Sequence, residues 1–446
     1  MSLIKDNTQT IAVFWFRRDL RLNDNAGLYH ALTSGFKVLP VFIFDTTILD
    51  SLNTDDKRVS FISQALDSVN LVLARFHTAV QILYGTPAKL FAELLQTYSI
   101  SIVFTNHDYE PYALERDHQV KIMLAENGVS FCTFKDQVVF EKNEIVKANG
   151  EPYTVFTPYS RKWLEKLNLN TELIHSFNSD DYLCNFFETE TSRSLHLCDF
   201  GFKEIQNVYK PFELNENSLH SYDKTRDFPA LDSTSKVSVH LRFGTISIRN
   251  LVAKALNTNL IWLNELIWRE FFMQILWHFP HVVNQPFKAK YQFINWLNND
   301  TDFSRWCKGE TGYPLVDAGM RELNATGFMH NRIRMVTASF LVKHLLINWQ
   351  WGEAYMADKL LDFELSSNNG NWQWAAGTGC DSAPYFRIFN PMSQAAKFDS
   401  QNIYIKKWVP EFGSSSYIQP IIDHSFARSR CLLTYKSALE TTFNNI

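Results

Sequence analysis

Five short apolar runs separated by helical stretches constrain this chain most. They are Ile11–Phe16, Lys37–Phe44, Val80–Tyr84, Ser101–Thr105 and Val129–Phe134. Helical periodicity fills Lys57–Arg75, Pro87–Leu95 and Pro111–Ala125 between them. Strands alternating with helices of this length predict a parallel, doubly wound sheet of Rossmann-like type. Such sheets take ligands at the carboxyl ends of their strands. No GxGxxG follows the first run. Arg17-Arg18-Asp19-Leu20-Arg21 stands there instead, so the usual dinucleotide fingerprint is absent.

The rhythm stops after residue 135. Residues 136–200 carry Asn, Ser, Asp and Thr clusters and the turn signal Asn149-Gly150, which reads as a long interdomain linker, partly helical around Pro158–Leu167. Residues 201–446 form a mainly helical second domain. Ile248–Ala255, Ile261–Phe279, Pro314–Asn324, Arg332–Trp349 and Gly352–Leu361 have apolar residues at helical spacing. Asn298-Asn299-Asp300, Asn368-Asn369-Gly370 and Gly377-Thr378-Gly379 mark loops between helices. Ten of the 12 Trp lie after residue 260, which signals a large core or a surface that stacks planar groups.

Composition excludes some classes. With 43 Lys+Arg against 47 Asp+Glu, the chain is not a generally basic nucleic-acid coat, although one basic patch is compatible with that balance. No apolar run is long enough for a membrane span, and MSLIKDNTQT has no signal-peptide core. The six Cys form no CxxC pair, which fits a reducing cytoplasm and argues against a Cys-rich metal site.

Four segments could carry chemistry. Glu265, Trp268 and Arg269 fall within one helical turn, and such a face suits a planar, hydrogen-bonding ligand. Taken alone, it reads more readily as an amphipathic helix with a buried Trp and solvated charges. His330-Asn331-Arg332-Ile333-Arg334 opens a helix with cations where the helix dipole favours anions. Either an anionic ligand or acids from elsewhere would relieve that. Asp362 to Trp374 packs two acids, three Asn and two Trp into 13 residues, a loop suited to clasping an isoalloxazine or a base edge, or a capping turn beside two core Trp. Asp232-Ser233-Thr234-Ser235-Lys236-Val237-Ser238 is a phosphate cradle or an ordinary N-cap.

Together these segments resemble the photolyase/cryptochrome family. The likeness runs through Phe14-Trp-Phe-Arg-Arg-Asp-Leu-Arg-Leu-Asn-Asp-Asn25, Gly312-Tyr-Pro-Leu-Val-Asp317, Met329-His-Asn-Arg-Ile-Arg-Met335, Asn368-Asn-Gly-Asn-Trp-Gln-Trp374 and Pro384-Tyr-Phe-Arg-Ile-Phe-Asn-Pro391. Within the family it looks most like a class I cyclobutane pyrimidine dimer photolyase. The resemblance implies an N-terminal α/β antenna-type domain (1–135) and a helical FAD- and DNA-binding domain (201–446). It implies FAD held by Tyr222, Thr234, Ser235, Lys236, Val237, Ser238, Trp262, Arg269, Arg334, Asp362, Glu364 and Asn368, with Thr234–Ser238 on the diphosphate and Asn368 at the flavin N5. Glu364 stands where the best-known members have Asp.

The implied partner is DNA containing pyrimidine dimers, acted on by a monomer. Trp268 and Trp374 would sandwich the flipped dimer, with Glu265 on the pyrimidine edge. Asn331 and Met335 would line the pocket, and Arg226, Arg332 and Gln394 would meet phosphates. The implied reaction is light-driven electron transfer from reduced FAD to the dimer. A relay of Trp372, Trp349 and Trp296 would refill the flavin, and Trp306 would be structural. A second antenna chromophore is open between deazaflavin, flavin and folate, with an empty cleft as the further alternative. Tyr112-Ala113 occupy the place of the Asn-Glu pair of pterin-binding members, which speaks against folate. The alternatives are a blue-light-sensing cryptochrome without repair activity, and a light-independent nucleotide- or RNA-binding protein.

Overall fold

The computed structural model describes residues 9–189 and 196–444. Its contacts divide the chain into two compact units. The first holds the chain up to Glu141, Glu165–Glu213 and Val237–Asn257. The second holds Lys142–Leu164, Leu214–Lys236 and the chain from Thr258 onward. The stretch 136–200 is thus shared between the units, and it contains the helix Phe156–Leu169.

In the first unit the strands are β1 (Thr10–Phe16), β2 (Lys37–Asp45), β3 (Gln81–Gly85), β4 (Ser99–Asn106) and β5 (Ser130–Phe134). They form one parallel sheet in the order β3-β2-β1-β4-β5, as the sequence rhythm predicts. Helices on both faces exclude water from the central strands, which therefore read as continuous apolar runs. Every residue of β1 after Thr10 is buried, whereas the edge strand β3 is only half-buried. The winding of the sheet turns back between β1 and β4, and at such a switch point a crevice forms at the carboxyl ends of the strands.

That end is closed by the chain's own polar groups. Asn106 donates to Asp19 (2.6 Å) and to Asn25 (2.8 Å) and accepts the Gly27 amide (2.9 Å). Arg21 and Arg249 share the carboxylate of Asp136, and Arg249 also bonds Asp24. Burial pushes the Asp136 carboxyl up, but the two guanidiniums reverse this and hold it below its ordinary value. Much of the Phe14–Asn25 signature is therefore architecture.

The second unit is helical, with a core of Trp306, Leu315, Met320, Ile333, Phe340, Trp349, Trp372 and their neighbours. Among the described residues no helix is long and apolar enough to cross a membrane. Two sequence expectations fail here. The helix expected over Arg332–Trp349 is two helices, Asn331–Ser339 and Trp349–Lys359. Between them lie a π turn at Phe340–His344 and Leu346 in the left-handed region at φ 50°. Asn348 then caps the second helix through the Gln350 amide. Asn368-Asn369-Gly370 is not a loop either; it lies inside the helix Leu365–Ala376. A β-carbon on Gly370 would sit 2.1 Å from the Phe272 ring. The glycine is there for close helix approach, at the expense of helix propensity.

Candidate flavin and nucleic-acid site

Two helices of the second unit meet over a cavity. A β-carbon on Gly352 would lie 2.1 Å from the Trp372 ring, so Trp349–Lys359 and Leu365–Ala376 pack with that indole against bare backbone. Beside them opens a cavity whose free space, together with the open solvent at its mouth, is about 630 Å³. Its lining brings together Asn331, Arg334, Met335, Asp362, Glu364, Asn368, Trp372 and Trp374, eight of the residues expected from sequence. Met356, Leu360 and Phe363 add apolar wall.

Charge in the cavity is arranged as two ion pairs. Arg334 bonds both oxygens of Asp362 (3.1 and 2.9 Å), and Arg269 reaches Glu364 at 3.0 Å. Arg269 is joined to the cavity through Glu364, whose extra methylene relative to Asp is compatible with that contact. Ser367 donates to the other Glu364 oxygen. Asn368 gives its Nδ2 to the main-chain oxygen of Glu353 at 3.1 Å, so its Oδ1 remains an acceptor. Flat apolar wall, amide groups and paired charges suit a planar heteroaromatic ligand with donors and acceptors on its rim. The donor set therefore fits a flavin.

The helix-opening arginines are paired with acids. Arg334 takes Asp362, and Arg332 takes Asp227 at 2.7 Å. Next to Asp227, Arg226 pairs with Glu265. Two expected phosphate contacts are therefore engaged within the protein. Burial pushes the Glu265 carboxyl up, and Arg226 opposes the rise. Tyr222 lies under the Arg226 guanidinium, 5.7 Å from its ring centre. The side-chain Oε1 of Gln394 is buried and has no hydrogen-bond partner.

The remaining expected residues lie outside the cavity lining. Trp268 stacks on Phe156 with centroids 3.7 Å apart and planes 5° apart. Trp262 is buried and donates to Ser235 Oγ at 3.2 Å, while Lys236 is tied to Asp232 and lies near Thr234 in the loop. Val237 and Ser238 open a short helix, Ser238–Phe243, that belongs to the other unit. Trp372 and Trp349 share one buried cluster, with Trp296 packed at its edge. The ring in edge contact with Trp372 is Trp306, at 6.1 Å, and Trp296 meets Tyr435 at 6.0 Å. In the first unit Tyr112 donates to Asp45 at 2.6 Å.

Sequence reasoning missed Phe156, Asp227 and Glu353. Phe156 fell in the stretch taken as linker, and Glu353 looks like any surface acid of a helix. Asp227 could have been found, since an acid beside Arg226 is an obvious counter-ion.

Comparison with known proteins gives the family. The family model for DNA photolyase matches residues 12–177, and that for the FAD binding domain of DNA photolyase matches residues 262–415. The chain is 34% identical to the deoxyribodipyrimidine photo-lyase of Synechococcus sp., covering 95% of this chain and 96% of the relative. A class III photolyase from Agrobacterium tumefaciens superposes with a TM-score of 0.86 at 29% identity, over 99% of this chain and 100% of that one. A Sulfolobus tokodaii photolyase with two FAD molecules superposes at 0.82 and 30% identity, over 96% and 99%. With family models covering both the sheet-bearing and the helical parts, the chain belongs to the DNA photolyase family.

Proposed function

We propose that this chain repairs cyclobutane pyrimidine dimers in DNA using light and bound FAD. The observation that carries the reading is the cavity that gathers Arg334–Asp362, Asn368 and Trp372 beside Asn331, Met335 and Trp374. Reduced FAD, when bound there, supplies the electron that light drives into the dimer.

The residues have separable tasks. Arg334 and Asp362 hold the ligand rim by paired charge, and Asn368 presents an acceptor to it. A damaged pair is easier to unstack than an intact one, which favours its entry. Phe156 covers one face of Trp268, so the indole is fixed as a platform, and Trp374 supplies a second ring at the cavity. Glu265, whose carboxyl burial pushes up against the opposing Arg226, sets a polar group at the pyrimidine edge where negative charge develops. Arg226 and Arg332 exchange Glu265 and Asp227 for phosphates when DNA binds, which supplies a local cationic contact despite the net −4. Trp372 opens the relay that restores the reduced flavin, continuing to Trp349 and Trp296.

For the second chromophore, Tyr112, which donates to Asp45, stands where the resemblance puts one of the paired ligands of pterin-binding members. We propose a deazaflavin or a second flavin there rather than folate. The neighbour from Sulfolobus tokodaii carries two FAD molecules. The test is a spectrum followed by an assay. Purified protein should show flavin absorption, and blue light under reducing conditions should remove dimers from DNA while a dark control does not. Flavin without repair would move the reading to a cryptochrome-like sensor.

A further inference from the structure

Glu353 is a half-buried acid that the proposed chemistry does not use. It sits on the helix Trp349–Lys359, facing the helix Leu365–Ala376. Two consecutive amides of that second helix are tied to it. Asn368 Nδ2 donates to its main-chain oxygen, and Asn369 Nδ2 donates to its side-chain Oε1, both at 3.1 Å. Asn369 also donates to the Val282 oxygen at 2.9 Å and accepts from Gln373 Nε2 at 3.1 Å. Gln373 in turn bonds the Val282 and Gln285 carbonyls. A continuous polar network therefore runs from Glu353 to the 282–285 turn, and the cavity residue Asn368 is anchored at its head.

We propose that the Glu353 side chain, through Asn369, is a positioning group for the helix that presents Asn368 to the flavin, and that its carboxylate charge is felt by the flavin. The proposal rests on the flavin reading above. Burial pushes the Glu353 carboxyl up to about 7, with the Asn369 hydrogen bond opposing. Helix Leu365–Ala376 contains no charged residue to offset it. The π turn packed against both helices brings Lys343 and His344, but Lys343 is given to the Ala376 carbonyl and His344 to His424. On its own helix Lys359 pairs with Asp358. The protonated form leaves Asn369 a weaker acceptor, whereas the ionised form grips Asn369 and sets a negative charge behind Asn368. A negative charge there disfavours adding an electron to the ligand.

The test is the reduction potential of the bound flavin, followed from pH 5.5 to 9 in wild type, Glu353→Gln and Glu353→Asp. Glu353→Gln keeps shape and mimics the protonated acid. Its curve should coincide with wild type at the acid end and lie above it at the alkaline end. Glu353→Asp keeps the charge and should retain the wild-type divergence, with a shifted midpoint. Wild-type and Glu353→Gln curves that stay parallel throughout, with flavin bound in both, would overturn this proposal alone. A wild-type protein that takes up no flavin would remove the flavin reading and this inference with it.

Discussion

The carboxyl end of β1 and the helical cavity are both rich in arginine and acid, yet they are built differently. At β1, Arg21, Arg249, Asp24, Asp136, Asp19 and Asn106 satisfy one another and are buried. In the cavity, Arg334–Asp362 and Arg269–Glu364 are pairs on the wall of an open volume, and Asn368 keeps an acceptor in reserve. Charges that close on each other hold a fold, whereas charges that leave valences toward a cavity hold a ligand. Arginine-rich sequence alone does not separate the two cases.

Mutation should separate them. The largest effect is expected from Asp136→Ala, which takes a shared carboxylate from two buried guanidiniums and leaves Arg21 without its acid partner while Arg249 keeps Asp24. Breaking such a pair should destabilise the protein by about 3–5 kcal/mol, read by urea unfolding. Because the folded Asp136 carboxyl lies below its ordinary value, its contribution is present above about pH 4 and is lost as pH falls further. Unchanged unfolding would break the contrast.

Glu265→Ala should act the other way, leaving stability and flavin content near wild type while repair falls by about 10²-fold, the usual loss when one group serving developing charge is removed. Unchanged repair would remove Glu265 from the chemistry. A smaller loss is expected from Gly370→Ala, whose methyl would overlap the Phe272 ring and should destabilise the helix pair by about 1–3 kcal/mol. The smallest effects sharpen the relay. Trp372→Phe should stop photoreduction yet spare repair by protein already reduced, whereas Trp306→Phe should change photoreduction little if the route is Trp349 and Trp296. A large loss in Trp306→Phe would assign the route to the ring in direct contact with Trp372.

The sheet was legible because its central strands are buried on both faces, so continuous apolar runs stood out from the helical spacers. The failures came where tertiary contact overrode local preference. Asn368-Asn369-Gly370 has turn composition, but the Phe272 ring and the amide network through Glu353 and Gln373 keep it helical. Arg332–Trp349 has unbroken helical periodicity, but a π turn and a left-handed Leu346 interrupt it, and neither has a sequence signal. Cavity residues such as Arg334, Asp362 and Trp374 were legible through motif resemblance. The Arg332–Asp227 and Arg334–Asp362 pairs show why arginine at a helix start needs no ligand to be stable.

The most direct measurement uses reduced, flavin-loaded protein and two defined oligonucleotides, one with a single thymine cyclobutane dimer and one with a single 6-4 photoproduct. Each is exposed to counted blue-light flashes or kept dark, and the nucleosides are separated. The account predicts paired thymines restored from the cyclobutane dimer in light only, with the 6-4 photoproduct untouched. A cyclobutane dimer left intact after illumination of flavin-loaded protein would contradict it.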